Sequence, residues 1–424
     1  MTRTLGRLGP ALEDRNFALF WVASLCMWTG TQMLEVAIGW QVYGLQHSAL
    51  DLGWIGLAEF IPLCLLALPA GQLADRFPRR LIFGVSLVLG ALVAAGLTIV
   101  TLADVRAVWV YIALAFGAGV GFAIGAPAMR ALPPTLVPPD LLASAMVLRS
   151  IAAQVSAMAG PAIGGLVYGL SPAAVYGTTG ALSVTAAALT LLMRTRDIDV
   201  ARSAPPGIRS MLDGIVFMRH TPILLGAILL DLFAVLFGGA VALLPVYASS
   251  ILHVGPTGLG VLRAAPAVGA LAAAIGMTRW PIRHRAGRTL LIAVAAFGAA
   301  TIVFGLSRSA PLSFVALAAT GFADMYSMNI RSTTAALATP DELRGRVTAV
   351  EMVFIGASNQ LGAFESGLAA FLLGATPAVV AGGALTIGLA VAWQRLFPAL
   401  ATVDRMEDVR PAYEPASPKA LPAE

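Results

Sequence analysis

The sequence predicts an all-α polytopic membrane protein, with twelve transmembrane helices in two pseudo-symmetric six-helix bundles. Three observations predict it. Of 424 residues, 58% are hydrophobic and only 12% charged, with a mean hydropathy of +0.84. A soluble globular chain carries about 25% charged residues, so too few are present here to cover a soluble fold of this size. Apolar tracts of about 20 residues, each long enough to cross a ~30 Å hydrocarbon core, recur from Phe17 to near Ala392. One long polar interior connection, 194–220, carries Pro205, Pro206 and Gly207 and divides the tracts into six and six.

The spans fall at about 16–44, 52–74, 80–102, 107–132, 141–170, 173–193, 221–250, 256–278, 287–306, 310–337, 343–373 and 376–396. Each is read as a helix, because lipid offers no partner for an unpaired backbone group. The domains follow: a first bundle over 1–193, a linker over 194–220, a second bundle over 221–397, and a tail over 398–424. Apolar and charged residues alternate at helical spacing from Gly207 to Arg219, which predicts a short surface helix there. The tail is polar, with Pro411, Pro415, Pro418 and Pro422, and is expected to be disordered. The start shows no short apolar run followed by a small-residue cleavage site, so the first span is expected to act as its own insertion signal.

Charge orients the spans. Of the 27 basic residues, 26 are Arg and one is Lys419; with both termini cytoplasmic, 22 lie on the cytoplasmic side. Only Arg106 and Arg308 lie opposite, and Arg149, Arg263 and Arg331 lie within spans. This satisfies the positive-inside rule. The same distribution turns the net charge of +5 and pI of about 9.6 away from nucleic acid and towards topology. Cys26 and Cys64 sit in apolar tracts and His47, His220, His253 and His284 are scattered, so neither a disulfide framework nor a metal site is expected. No phosphate-binding glycine loop is visible, so ATP is not the expected energy source. No nucleophile–base constellation points to a catalytic residue, and neither 194–220 nor 398–424 is long enough for a soluble sensor domain.

The two halves resemble each other. Arg130 precedes Asp140 by ten residues and Arg331 precedes Asp341 by ten, an offset of 201 in both cases, each between the fourth and fifth span of its half. Val42 and Tyr43 end the first span as Val246 and Tyr247 lie near the end of the seventh. Duplication of this kind places a substrate site near midplane between the halves.

Gly71, Asp75, Arg76, Arg79 and Arg80 lie between spans 2 and 3. They resemble the signature of the major facilitator superfamily, with Pro78 where that family usually has Gly. The resemblance implies a conformational gate. Gly71 would permit close helix approach, and Asp75 would meet a helix N-terminus or an arginine such as Arg130. Gly160, Pro161, Gly164 and Gly165 in span 5 resemble the antiporter motif of drug:proton exporters, with Ser156 replacing an upstream Gly; such a run bends a helix and packs it closely. Pro340 to Val347, Leu262 to Gly269, and Asn359 to Gly367 are similar to the branch containing the bacterial enterobactin exporter. That resemblance implies a monomeric secondary transporter of the bacterial inner membrane, without cofactor, driven by the proton gradient and exporting a siderophore- or drug-like amphiphile.

Charges inside spans are costly, roughly 2.5–3.5 kcal/mol each at midplane on insertion scales, and so should face a cavity or a partner. Trp28, Gln32 and Glu35 share one face of span 1; Glu59 lies about 12 Å inside span 2. Span 5 carries Arg149, span 7 Asp231, span 8 Arg263, span 10 Asp324 and Arg331, and span 11 Glu351 and Glu365. Arg130, Arg331, Asp341 and Glu351, near the cytoplasmic ends, suit a gate. Glu35, Glu59 and Asp231 suit a proton or substrate site, Glu35 first, with Trp28, Gln32, Arg149, Arg263, Asp324 and Glu365 as further candidates. Proton antiport is the leading expectation; an importer, a uniporter or a lipid translocase on the same fold is the alternative.

Overall fold

The computed structural model describes residues 9–194, 208–282, 284–406 and 409. Six long helices form the first half: α1 (Arg15–Gln46), α2 (Ala49–Arg76), α3 (Arg79–Leu102), α4 (Val108–Ala131), α5 (Leu142–Leu170) and α6 (Pro172–Leu191). Six form the second: α7 (Pro222–Gly238), α8 (Gly255–Arg279), α9 (Ala286–Leu306), α10 (Ala310–Ala338), α11 (Asp341–Leu373) and α12 (Ala375–Leu396). Ten spans among the described residues are long and apolar enough to cross a membrane. The other two, α10 and α11, are 29 and 33 residues long and carry the polar residues discussed below.

Local signals set the boundaries. The Asp14 carboxylate accepts from the amides of Asn16 (2.8 Å) and Phe17 (3.2 Å), capping α1. Pro172 and Pro222 open α6 and α7 at the first helical turn, where no amide donor is missed. Gly374, at φ 89°, makes the turn from α11 to α12 in a conformation that suits glycine alone.

Packing repeats with a shift of six helices. In the first half α1 packs on α5 and α6, α2 on α4, and α3 on α4 and α6; in the second, α7 packs on α11 and α12, α8 on α10, and α9 on α10 and α12. The halves meet through α5 with α8 and α2 with α11, two interfaces that the same shift exchanges.

The core is not evenly shared. On the far face, away from the start of α1, one apolar cluster runs through both halves, from Met33, Val36 and Leu97 to Leu244, Leu262 and Leu317. On the near face each half has its own clusters: Phe17, Phe20 and Phe83 in the first, and Leu230, Leu290 and Trp393, with Met218, Leu224 and Val347 beside them, in the second. The halves are therefore joined on the far face and separate on the near face.

Two expectations change. The seventh span breaks: α7 stops at Gly238, and the chain continues through a 3-10 turn at Ala240–Leu243 and a π-helical turn at Tyr247–Ile251. The start of the tail is not disordered. Pro398–Ala401 forms a helical turn with Leu400 buried, Val403 and Met406 pack on the second half, and the amides of Ala286 and Gly287 donate to Asp404 and Val403 carbonyls. Apolar residues early in the tail outweigh its overall polarity. Residues 410–424 and the linker over 195–207 lie outside the described residues. A helix does form at Ile208–His220, and its Gly214 abuts Arg346 of α11.

Candidate functional site

Two of the expected acidic groups lie at the joint between the halves. Glu35 of α1 is ion-paired with Arg263 of α8. Glu59 of α2 accepts a hydrogen bond from the Gln360 side chain of α11 at 3.0 Å, and it feels the charges of both Glu35 and Arg263. The four side chains therefore form one electrostatic group, with both carboxylates from the first half and the cation and amide from the second. Gly119 of α4 lets Glu59 approach, since a methyl group there would lie 2.7 Å from its carbonyl oxygen. A further bond crosses from the Gln154 amide of α5 to the Ala267 carbonyl of α8, at 2.7 Å. Nearer the far face, the Tyr43 and Ser250 hydroxyls meet at 2.8 Å.

The face shared by Trp28, Gln32 and Glu35 divides its work. Trp28 packs against the near-face cluster of the first half, and Gln32 lies against Gly160, so only Glu35 of the three has a charged partner. The small residues of span 5 are contact points. A methyl group on Gly160 would lie 2.7 Å from Gln32 Cβ, and one on Gly164 would lie 2.7 Å from Met33 Cα. Gly165 faces α8 instead, 3.0 Å from Gly260 Cα on the same measure, with the Pro161 carbonyl beside it. The motif seats α5 on α1 and α8 together.

A second charged group lies wholly within the second half. Arg331 of α10 is ion-paired with Asp231 of α7, stands 3.7 Å from Asp324, and donates to the Ser327 carbonyl at 3.3 Å. Asp231, Arg331 and Glu351 line a cavity of about 10 Å³ with Ala227, Phe354 and Ile355. The expected grouping placed Asp231 at the substrate site and Arg331 at the gate. They are one pair, because α7 and α10 bring residues 100 positions apart onto facing turns.

The gate residues are dispersed. The space beside Gly71 is open in this form of the molecule, in which the near face is separated. The side chains of Asp75 and Asp341 lie outside the described residues. Arg80 donates to the Met193 carbonyl at 2.8 Å and Arg79 to the Ala131 carbonyl at 3.0 Å, so each arginine holds the near-face end of a neighbouring helix. Arg76 is exposed, and Arg130 is an electrostatic neighbour of Arg149. Arg149 has a buried Nε without a hydrogen-bond acceptor. Glu365 lines a separate cavity with Ser366 and Thr301.

Sequence reasoning missed Gln360, Gln154 and the Tyr43–Ser250 contact. A glutamine in an apolar tract was the available signal for the first two. It also missed Gln41, which bonds Tyr111 at 2.9 Å and accepts from Tyr176 at 2.7 Å, tying α1, α4 and α6 together.

Residues 7–417, nearly the whole chain, match the family described as transmembrane secretion effector, within the major facilitator superfamily. The chain belongs to that family. As a secretion effector it has the family and fold of a transporter, not of an enzyme, and it is a multi-pass membrane protein. It is 30% identical over 393 residues to the multidrug efflux pump Tap of Mycolicibacterium fortuitum, covering 87% of this chain and 90% of that one. It is 25% identical over 209 residues to macrolide efflux protein A of Streptococcus pyogenes, covering 48% and 51%. Among solved structures, a bacterial homologue of the human lysosomal transporter Spinster, in its inward-facing and occupied conformation, superposes with a TM-score of 0.73. It shares 15% identity, covers 94% of this chain and 98% of that one, and so speaks for the fold alone.

Proposed function

We propose that this chain exports a small amphiphilic molecule, drug- or siderophore-like, across the bacterial inner membrane by alternating access in exchange for protons. The joining of the halves through Glu35–Arg263 and Glu59–Gln360 carries this reading. With both termini cytoplasmic, as the arginine distribution supports, the separated near face is the cytoplasmic one and this is the inward-facing form. The efflux activities named for the two relatives support export.

The mechanism follows from the charges. Opening to the far side parts α1 from α8 and α2 from α11, so Glu35 and Arg263 lose each other. Leaving either charge without its counter-ion at this partly hydrated joint costs on the order of 1 kcal/mol. A proton on Glu35 removes that cost on one side, and a substrate between the halves can shield Arg263 on the other. Either ligand thus lets the halves part, and because both act at the one Glu35–Arg263 site they compete and cross in turn, as exchange requires.

The test is efflux of a fluorescent amphiphile from proteoliposomes under an imposed pH gradient. Glu35→Gln should abolish gradient-driven efflux while substrate binding survives; full gradient-driven efflux in this variant removes Glu35 as the proton carrier. Orientation is read separately: a cysteine at Ser309 should label from outside intact cells, and protection there reverses the topology.

A further inference from the structure

We propose that the break in α7 and the facing turn of α11 form a binding site for one small monovalent cation, Na+. α7 ends at Gly238, before the end of its span at Ile251, and Gly239 (φ −73°, ψ 64°) leaves the helix without making a capping bond. The last turn of α7 therefore presents carbonyl oxygens at the negative end of the helix. The Val235 and Leu236 oxygens are turned to Gly362 of α11, 3.1 and 3.2 Å from where a methyl group there would stand, so Phe237 and Gly238 are the residues of this turn that border the cavity. The Gly239 carbonyl is turned to α11, where it accepts from the Ser366 hydroxyl at 3.3 Å.

Against this helix end lies a cavity of about 10 Å³, room for roughly one water-sized sphere. It is lined by Phe237, Gly238, Thr301, Glu365, Ser366 and Ala378, among others. Three of these carry oxygen-bearing side chains. Thr301 spends its proton on the Phe297 carbonyl at 2.9 Å and Ser366 spends its own on Gly239, so both hydroxyl oxygens keep lone pairs for a cation. Glu365 stands about 12 Å from the far end of α11, and no basic side chain among the described residues pairs with it.

The donor set selects the ligand. All the donors are hard oxygens, which suit alkali and alkaline-earth ions rather than soft metals. One carboxylate among otherwise neutral oxygens balances one positive charge. A divalent ion calls for more acidic groups, and no cluster of three metal-ligating side chains occurs among the described residues. A proton would neutralise Glu365 alone and would leave the helix end and the two hydroxyls without a role. The site lies apart from the Glu35–Arg263 contact, and occupancy is read without any gradient, so its failure and the failure of proton-driven export are distinguishable.

The experiment is equilibrium binding of radioactive Na+ to the purified full-length protein in detergent, in choline buffer at mildly alkaline pH. The expected result is saturable binding, displaced by unlabelled Na+ or Li+ and not by further choline. Glu365→Gln, close in shape to the native residue, should weaken it by more than about tenfold, and Ser366→Ala should weaken it less. Both variants are first checked for a single monodisperse peak on gel filtration; if Glu365→Gln fails that check, the Ser366→Ala affinity decides, and an unchanged value overturns the site. Absence of saturable binding to the wild-type protein, or binding that Glu365→Gln leaves intact, also overturns it. A wild-type protein that ignores Na+ while Glu365 takes up a proton makes this a proton site instead.

Discussion

Two ion pairs in this protein look alike and sit in different places. Glu35–Arg263 joins the first half to the second, whereas Asp231–Arg331 lies inside the second half. Their exposures differ accordingly: the side chains of Arg263 and Glu35 are 19% and 32% exposed, those of Arg331 and Asp231 only 10% and 15%. The proposed alternating access parts the first pair in every cycle and can leave the second intact. Position in the fold thus decides whether a salt bridge holds a structure together or holds one state of it.

The comparison can be broken most directly at the inner pair. Arg331→Ala should destabilise the protein by about 3–5 kcal/mol, because it leaves Asp231 buried without its cation and Asp324 without its neighbour. The measurement is thermal unfolding in detergent together with abundance in the membrane; wild-type stability would mean that the pair contributes nothing to holding the second half together. Arg263→Ala should cost far less, on the order of 1 kcal/mol, since Glu35 is already partly hydrated. Its main effect should fall on state. A cysteine at Ala49, which is buried against Gly367 of α11 when the far face is closed, should label faster in the Arg263→Ala background. Unchanged labelling would place this pair in the same structural class as the inner one.

The smallest effect is expected where the tail crosses the turn before α9. Asp404 accepts from the Arg285 amide at 2.9 Å and contacts His284 at 3.3 Å. The Arg285 amide first, and then His284, hold its carboxyl below the usual carboxylate range. A carboxyl lowered by folding supports the folded form above its unfolded value and ceases to do so as pH falls through its folded value. The tail contact should therefore survive neutral and mildly acidic solution and loosen only in strong acid. Asp404→Asn should remove that acid dependence, read as protease nicking after residue 396, and should leave transport unchanged.

Much of the fold was legible in the sequence because burial in lipid is written in composition: a dozen apolar tracts and a 22-to-2 split of basic residues leave few alternatives. The small residues at Gly160 and Gly164 were also legible, as helix contacts. The partners were not. Arg263 and Glu35 are 228 positions apart, and nothing in one sequence says which of several buried carboxylates an arginine will meet. The break at Gly239 was hidden for a related reason. Gly238, Gly239 and Pro245 are turn-forming residues, but the rest of Leu236 to Val246 is as apolar as a helix interior and masks them.

The glycines where the halves meet bear on how the molecule wears its own motion. At α5 with α8, Gly165 faces Gly260, and at α2 with α11, Gly53 faces Gly367, with a methyl group on Gly367 falling 2.9 Å from Gly53 Cα. At these points main chain rests on main chain. Such a seam has no rotamers to freeze when it closes and none to release when it opens, so making and breaking it carries little side-chain entropy in either direction. What it gains is dispersion over a narrow strip, which is lost steeply with a small separation. Under the proposed alternating access, the joint would serve as a low-friction bearing: firm while seated, quick to disengage, and able to return to the same register turnover after turnover.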